Sequence, residues 1–274
     1  MSFDMSLLPL LAMLLALAGF AGLLAGLLGV GGGIILVPGY LYIFTQMGYD
    51  GPQIMQVCLA TSLATIIVTS LRSVQSHHRK GAVQWDTLKA WAPGIAFGAI
   101  IGVLIATALR SVTLQLIFGC IGLCIGLYMA FGKPTWRLGD TMPRGVATWV
   151  SAPVVGFLSV LMGIGGGSFG VPYQTLYGVP IHRAVATAAG FGALIAIPSV
   201  VAFLFVPIDP ASRPPFTFGA VNIAAFALTI SMTLITAPLG AKLAHRIDPK
   251  PLKRIFAVFL MVVAANMLRK SFGG

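Results

Sequence analysis

The sequence predicts an all-α polytopic membrane protein built from two inverted-topology repeats, each a glycine-broken helical hairpin plus three transmembrane helices. Three observations predict it. First, the 274-residue chain is 58% hydrophobic and only 8% charged, with a mean hydropathy of +0.96. Apolar runs of about 20 residues, enough to cross a hydrocarbon core, recur along its length. Second, GVGGGIILVP at 29–38 returns as GIGGGSFGVP at 163–172, at a constant offset of 134. Third, the halves carry their basic clusters in different connections. His77-His78-Arg79-Lys80 lies between the second and third long runs of the first half, whereas Lys242 to Arg254 lies one connection later in the second. Parallel halves would place equivalent charge in equivalent loops, and an inverted repeat swaps it.

The glycine segments hold the first candidate site residues. Gly31, Gly32 and Gly33 recur as Gly165, Gly166 and Gly167. Three successive glycines hold a helix poorly and interrupt it. A helix that restarts beyond the break presents unpaired N–H groups and positive partial charge, which suits an anion. Irregular backbone at membrane depth survives only where protein buries it or a polar cavity wets it. Close helix packing explains one such segment equally well. Two at matched positions favour a binding site between repeats.

The net charge of +11 suggests nucleic acid at first sight. The basic residues sit in short connections between apolar runs, so they are read as topology signals and no nucleic-acid partner is expected. Cys58, Cys120 and Cys124 all fall inside apolar runs. Cys120 and Cys124 share a helix face, but no histidine or carboxylate lies near them in sequence, so neither a metal site nor a disulfide framework is implied. Asp4, not a basic cluster, precedes the run Leu7 to Leu28, which is therefore expected to be a retained span and not a signal peptide.

In chain order, the first repeat occupies 1–132 and the second 146–274, with a cytoplasmic linker at 133–145. Leu7 to Leu28 leads to the first break, and Ile34 to Met47 is a shorter apolar piece carrying Pro38. Ile54 to Val74 is a span with Thr61, Ser62, Thr65, Thr69 and Ser70 on it, ending near Arg72. Membrane hydroxyls often bond their own backbone one turn back. Thr61 stands out because Thr187 sits in a similar context in the second half. Leu88 to Leu109 carries Gly94, Gly98 and Gly102, a small-residue ridge that packs on another helix, in the same chain or in a homodimer. Leu114 to Phe131 closes the first half. In the second, Val146 to Met162 leads to the second break. Ser168 to Tyr177 restarts beyond it, with Ser168, Tyr173 and Gln174 as polar candidates. Gly178 to Arg183 reads as a turn. Ala184 to Val206, Phe218 to Leu243 and Ile255 to Leu268 are the last three spans, with a proline-rich loop at Pro207 to Phe216.

Counting lysine and arginine tests the topology. If each broken hairpin enters and returns, 13 of the 17 basic residues fall on one side and only Arg110, Arg213, Arg269 and Lys270 on the other. If each hairpin makes a single crossing, the split is 10 to 7. The positive-inside rule selects the first arrangement and places both termini outside.

The two GxGGGxxxVP segments, with LATSLATIIVTSLRSVQSHHRKGAVQWD after the first, resemble the TauE/SafE family of membrane proteins, the sulfite exporters. The likeness spans nearly the whole chain. It implies a bacterial inner-membrane permease that exports sulfite, sulfoacetate or related small sulfur-containing anions, with no cofactor. The residue chemistry suits such an anion. Hydroxyls of Thr61, Ser62, Thr65, Ser168 and Thr187 and the amide of Gln174 would add to the helix N-termini. Arg72 and Arg183 would supply full charge, although each also fits a snorkelling anchor. The apolar runs contain no Asp or Glu, so neither a cation site nor a carboxylate proton relay is expected. Four histidines, the adjacent His77 and His78 with His182 and His245 in other connections, do not assemble a membrane enzyme, so the chain is expected not to be one.

Overall fold

The computed structural model describes residues 8–28, 32–132, 136–143, 145–244 and 249–272. Ten helices follow in order: α1 (Leu8–Leu28), α2 (Gly33–Gln46), α3 (Ile54–Arg79), α4 (Trp85–Ala108), α5 (Ser111–Phe131), α6 (Val146–Leu161), α7 (Gly167–Leu176), α8 (Ile181–Leu204), α9 (Ile223–Ala244) and α10 (Pro249–Phe272). Seven of the described helices, all but α2, α6 and α7, are long and apolar enough to cross a membrane. Each half thus contributes a helix pair separated by a glycine break, α1–α2 or α6–α7, followed by three long helices.

Two boundaries differ from the sequence reading. The basic run His77-His78-Arg79 is the last turn of α3 and not a loop; the helix ends at Arg79 and is closed off by Gly81, whose N–H bonds the His78 carbonyl at 2.9 Å. The segment Gly178 to Arg183 is a turn only as far as Pro180, after which α8 begins. Proline fixes the backbone just ahead of the first helical residue, so His182 and Arg183 join the first turn. Before α9, a 3₁₀ turn at Pro210–Ser212 and a two-residue antiparallel ladder pairing Thr217 with Asn222 give the proline-rich loop local structure.

The halves interlock. Helix α1 packs along α9, α6 along α4, α5 along α10, and α3 crosses α8. Numbering the helices one to five in each half, exchanging the halves carries the α1–α9 pairing onto α6–α4 and each of the other two pairings onto itself. Glycines set the close approaches. A Cβ at Gly98 would overlap the Pro153 carbonyl, and one at Gly156 the Ile95 carbonyl. The ridge of Gly94, Gly98 and Gly102 is therefore filled by α6 of the same chain. Gly94 meets Ala152 while Gly102 meets Val160, so α4 and α6 run the same way. Gly19 and Gly22 both face the stretch from Met232 to Thr236, so α1 lies closely against α9 there. Helices α5 and α10 run oppositely: Gly119 meets Leu268, Gly122 meets Ala264 and Gly126 meets Met261.

The connections gather at two ends. At one, Leu138 N–H bonds the Leu176 carbonyl at 2.8 Å, joining the connection between the halves to the end of α7. At the other, Ser111 N–H bonds the Pro52 carbonyl at 2.8 Å, and Gln53 N–H bonds Ser212 Oγ at 2.9 Å.

Candidate anion-binding site

The two glycine breaks meet inside the protein. Helix α6 ends in a Schellman turn: Ile164 N–H bonds the Ser159 carbonyl at 2.9 Å and Gly163 N–H the Val160 carbonyl at 2.9 Å. That turn requires the left-handed backbone of Gly163, at φ +60°, which glycine adopts without steric cost. The Gly163 carbonyl then accepts the Ser62 hydroxyl from α3 at 2.7 Å. Gly33, the first residue of α2, lies against the same point. A Cβ there would stand 2.5 Å from the Gly163 carbonyl and 2.9 Å from Ile164 Cα. Two breaks distant in sequence thus form one backbone-to-backbone contact, sealed by the Ser62 hydroxyl. Their helices, α2 and α7, start at the equivalent residues Gly33 and Gly167, so two helix N-termini converge on this region.

Other candidates separate by role. Gly31 lies outside the described residues. Gly32 is half-buried and loosely surrounded, with nothing nearer than 3.5 Å to a Cβ built on it. Gly165 is tighter, against Ile66, and Gly166 is wedged on Phe191 and Gly192 of α8. Thr61 and Thr187 are a matched pair. Thr61 Oγ1 accepts Asn222 N–H at the start of α9, 3.0 Å away. Thr187 Oγ1 accepts Gln84 N–H at the start of α4, 3.0 Å away. Each therefore pins the fourth helix of the opposite half, using orphan donors of a helix N-terminus. Thr65 bonds back to the Thr61 carbonyl at 3.1 Å. Ser168 is buried. Gln174 is fully buried, its Nε2 donating to the carbonyls of Gly170 at 3.0 Å and Ala184 at 3.2 Å. Its Oε1 has no partner among the described residues. Arg72 and Arg183 are exposed on the outer surface. Among the described residues every buried polar side chain is a hydroxyl or an amide, and none is charged.

Sequence reasoning missed Tyr40 and Thr229. The phenol of Tyr40 on α2 and the hydroxyl of Thr229 on α9 are 2.7 Å apart and buried, and Thr65 faces the same phenol. The signal was present in the duplication, since Tyr40 precedes Gln174 by the same 134 positions that separate the glycine motifs. The counterpart cluster is built differently. Gln174 follows Tyr173 on α7, whose ring meets Trp91 edge-on with centroids 5.0 Å apart, and Trp91 in turn stacks on Phe191 at 5.4 Å. The first-half face is hydroxyl-rich and the second-half face aromatic.

The sulfite exporter TauE/SafE family matches residues 14–267. The chain belongs to this family. It is 30% identical over 257 residues to a probable membrane transporter protein of Haemophilus influenzae, covering 93% of this chain and 97% of the relative. A probable membrane transporter protein of Methanocaldococcus jannaschii is 28% identical over 262 residues, 94% of this chain and 96% of its own. The probable membrane transporter protein YunE of Bacillus subtilis is 25% identical over 274 residues, 93% of this chain and 96% of its own. No solved structure matches. The chain is thus a multi-pass membrane transporter and not an enzyme.

Proposed function

We propose that this transporter exports sulfite or a small organosulfonate anion resembling sulfoacetate, bound near mid-depth where the two glycine breaks meet. The observation that carries this reading is the convergence of the α2 and α7 N-termini on the Gly33–Gly163 contact. Each terminus offers about half a positive charge and backbone donors. The Ser62 hydroxyl sits at that contact and becomes a donor to an anion once it leaves the Gly163 carbonyl; Thr65 lies about one turn further along α3, and Tyr40 and Gln174 lie two turns along α2 and α7. A site of dipoles and hydroxyls, without a buried carboxylate, favours an anion over a cation. Arg72 and Arg183 act in this reading as interfacial anchors, because their exposure keeps them from that contact.

Alternating access follows from an inverted repeat. The interchange of helix pairings between halves and the antiparallel run of α5 and α10 support that relation. The same directions support both termini lying on one side. In a bacterial inner membrane the charge bias supports a periplasmic position for that side. Transport would then rock one set of helices against the other about the Gly33–Gly163 contact, which the Ser62 bond closes.

The test is efflux of labelled sulfite from proteoliposomes, with sulfoacetate, taurine, sulfate, phosphate and chloride as competitors. Saturable efflux inhibited by sulfonates but not by chloride supports the reading. Efflux that no sulfur anion saturates, or that requires a co-transported neutral solute, overturns it.

A further inference from the structure

At the end of the molecule that carries the α10 C-terminus, two openings lie side by side. One is a cavity of about 690 Å³ between the α2–α3 turn, the α4–α5 turn and α10. Its lining includes Arg110, Arg269 and Lys270, opposed by the single carboxylate Asp50. The other is a cleft of about 260 Å³ between α1, α2 and α10, floored by Met13, Leu17, Pro38 and Phe259. The two share Leu41 and Lys270. A cationic pocket therefore adjoins a mainly apolar cleft.

The charge pattern makes this placement notable. Only Arg110, Arg213, Arg269 and Lys270 lie on the basic-poor side, and three of these four line the one cavity. Arg213 is engaged elsewhere, on the Thr217 carbonyl at 3.2 Å. Lysine and arginine are selected against on that side unless something there uses them. Arginine forks match phosphate oxygens, and basic pockets between transmembrane helices hold lipid headgroups.

We propose that this groove binds an anionic phospholipid, its phosphate on Arg110, Arg269 and Lys270 and one acyl chain in the cleft between α1, α2 and α10. The lipid touches α2, the helix that restarts at the first glycine break, and α10, which packs on α5. It thus ties the first broken hairpin to the last helix of the chain. The site is distinct from the glycine contact and does not depend on which anion is transported.

The experiment is native mass spectrometry on delipidated full-length protein titrated with phosphatidylglycerol or with phosphatidylcholine of the same chains. Wild type retains phosphatidylglycerol preferentially. The triple change Arg110→Gln, Arg269→Gln and Lys270→Gln, all at exposed positions, weakens that retention about tenfold or more and leaves phosphatidylcholine unaffected. Val263→Trp, which fills the cleft, also weakens phosphatidylglycerol with the cations intact. Equal retention of the two lipids, or a triple variant that holds phosphatidylglycerol as wild type does, overturns the proposal. Displacement of the lipid by soluble glycerol phosphate or by sulfite at equal concentration also overturns it, since the cavity would then be a free-anion site.

Discussion

Ser62→Ala isolates the contact between the breaks. Ser62 is fully buried, and its hydroxyl reaches the Gly163 carbonyl at 2.7 Å. Alanine removes the donor without adding an atom. A hydrogen bond of this kind contributes about 0.6–1 kcal/mol net, taking membrane and soluble measurements together. If the bond exists only in the closed arrangement, its loss shifts the closed-to-open ratio roughly three- to fivefold. Cys58 reports that shift. It is buried one turn before Ser62 on α3, and its neighbour Leu59 abuts Gly163. In a background with Cys120 and Cys124 changed to alanine, a small maleimide should alkylate Cys58 about three to five times faster in Ser62→Ala than in the parent. The sulfite efflux rate should change in the same preparation. Unchanged alkylation together with unchanged efflux would refute the claim that this bond closes the site.

Three further outcomes follow from the same contacts. Gly98→Leu, which drives a side chain into the Pro153 carbonyl, should destabilise the protein by about 1–3 kcal/mol, with Gly98→Ala milder, as read by thermal unfolding in detergent. Thr61→Ala and Thr187→Ala should each cost about 1 kcal/mol, and the double variant should be additive, because each threonine pins a different helix start. Arg72→Gln and Arg183→Gln should leave the sulfite affinity within about twofold of wild type, since a rim charge remote from the ligand contributes little; a tenfold loss in either would return that arginine to the site.

The helices were legible because their physics is local. Apolar length marks the spans, and the doubled glycine segments mark where two of them break. The small-residue ridge of Gly94, Gly98 and Gly102 was legible as an interface, but not its partner, because a glycine's spacing says that something packs closely and not what. The α3 and α8 boundaries moved for a related reason: polar composition at 77–79 and 181–183 resembles a loop, yet helices carry charge freely once they leave the hydrocarbon. At the candidate site, Ser62 could be singled out as a hydroxyl on a buried span, but its acceptor lies 101 residues away. Thr61 and Thr187 were recognised as a pair from their context. Their capping of helices in the opposite half depends on the interlocked packing, which no local pattern encodes. Tyr40 reads as an ordinary aromatic in an apolar run, and only the repeat offset ties it to Gln174.

The central claim is that the anion sits between the two breaks, and calorimetric titration of sulfite into purified protein tests it most directly. Wild type is compared with Gly32→Leu, at a position where an added Cβ meets nothing nearer than 3.5 Å, and the variant is confirmed as folded by its thermal midpoint. The account predicts saturable binding to wild type and a loss of about tenfold or more in the variant, equivalent to at least about 1.4 kcal/mol. A folded Gly32→Leu that binds sulfite as tightly as wild type would contradict it and return the glycines to helix packing alone.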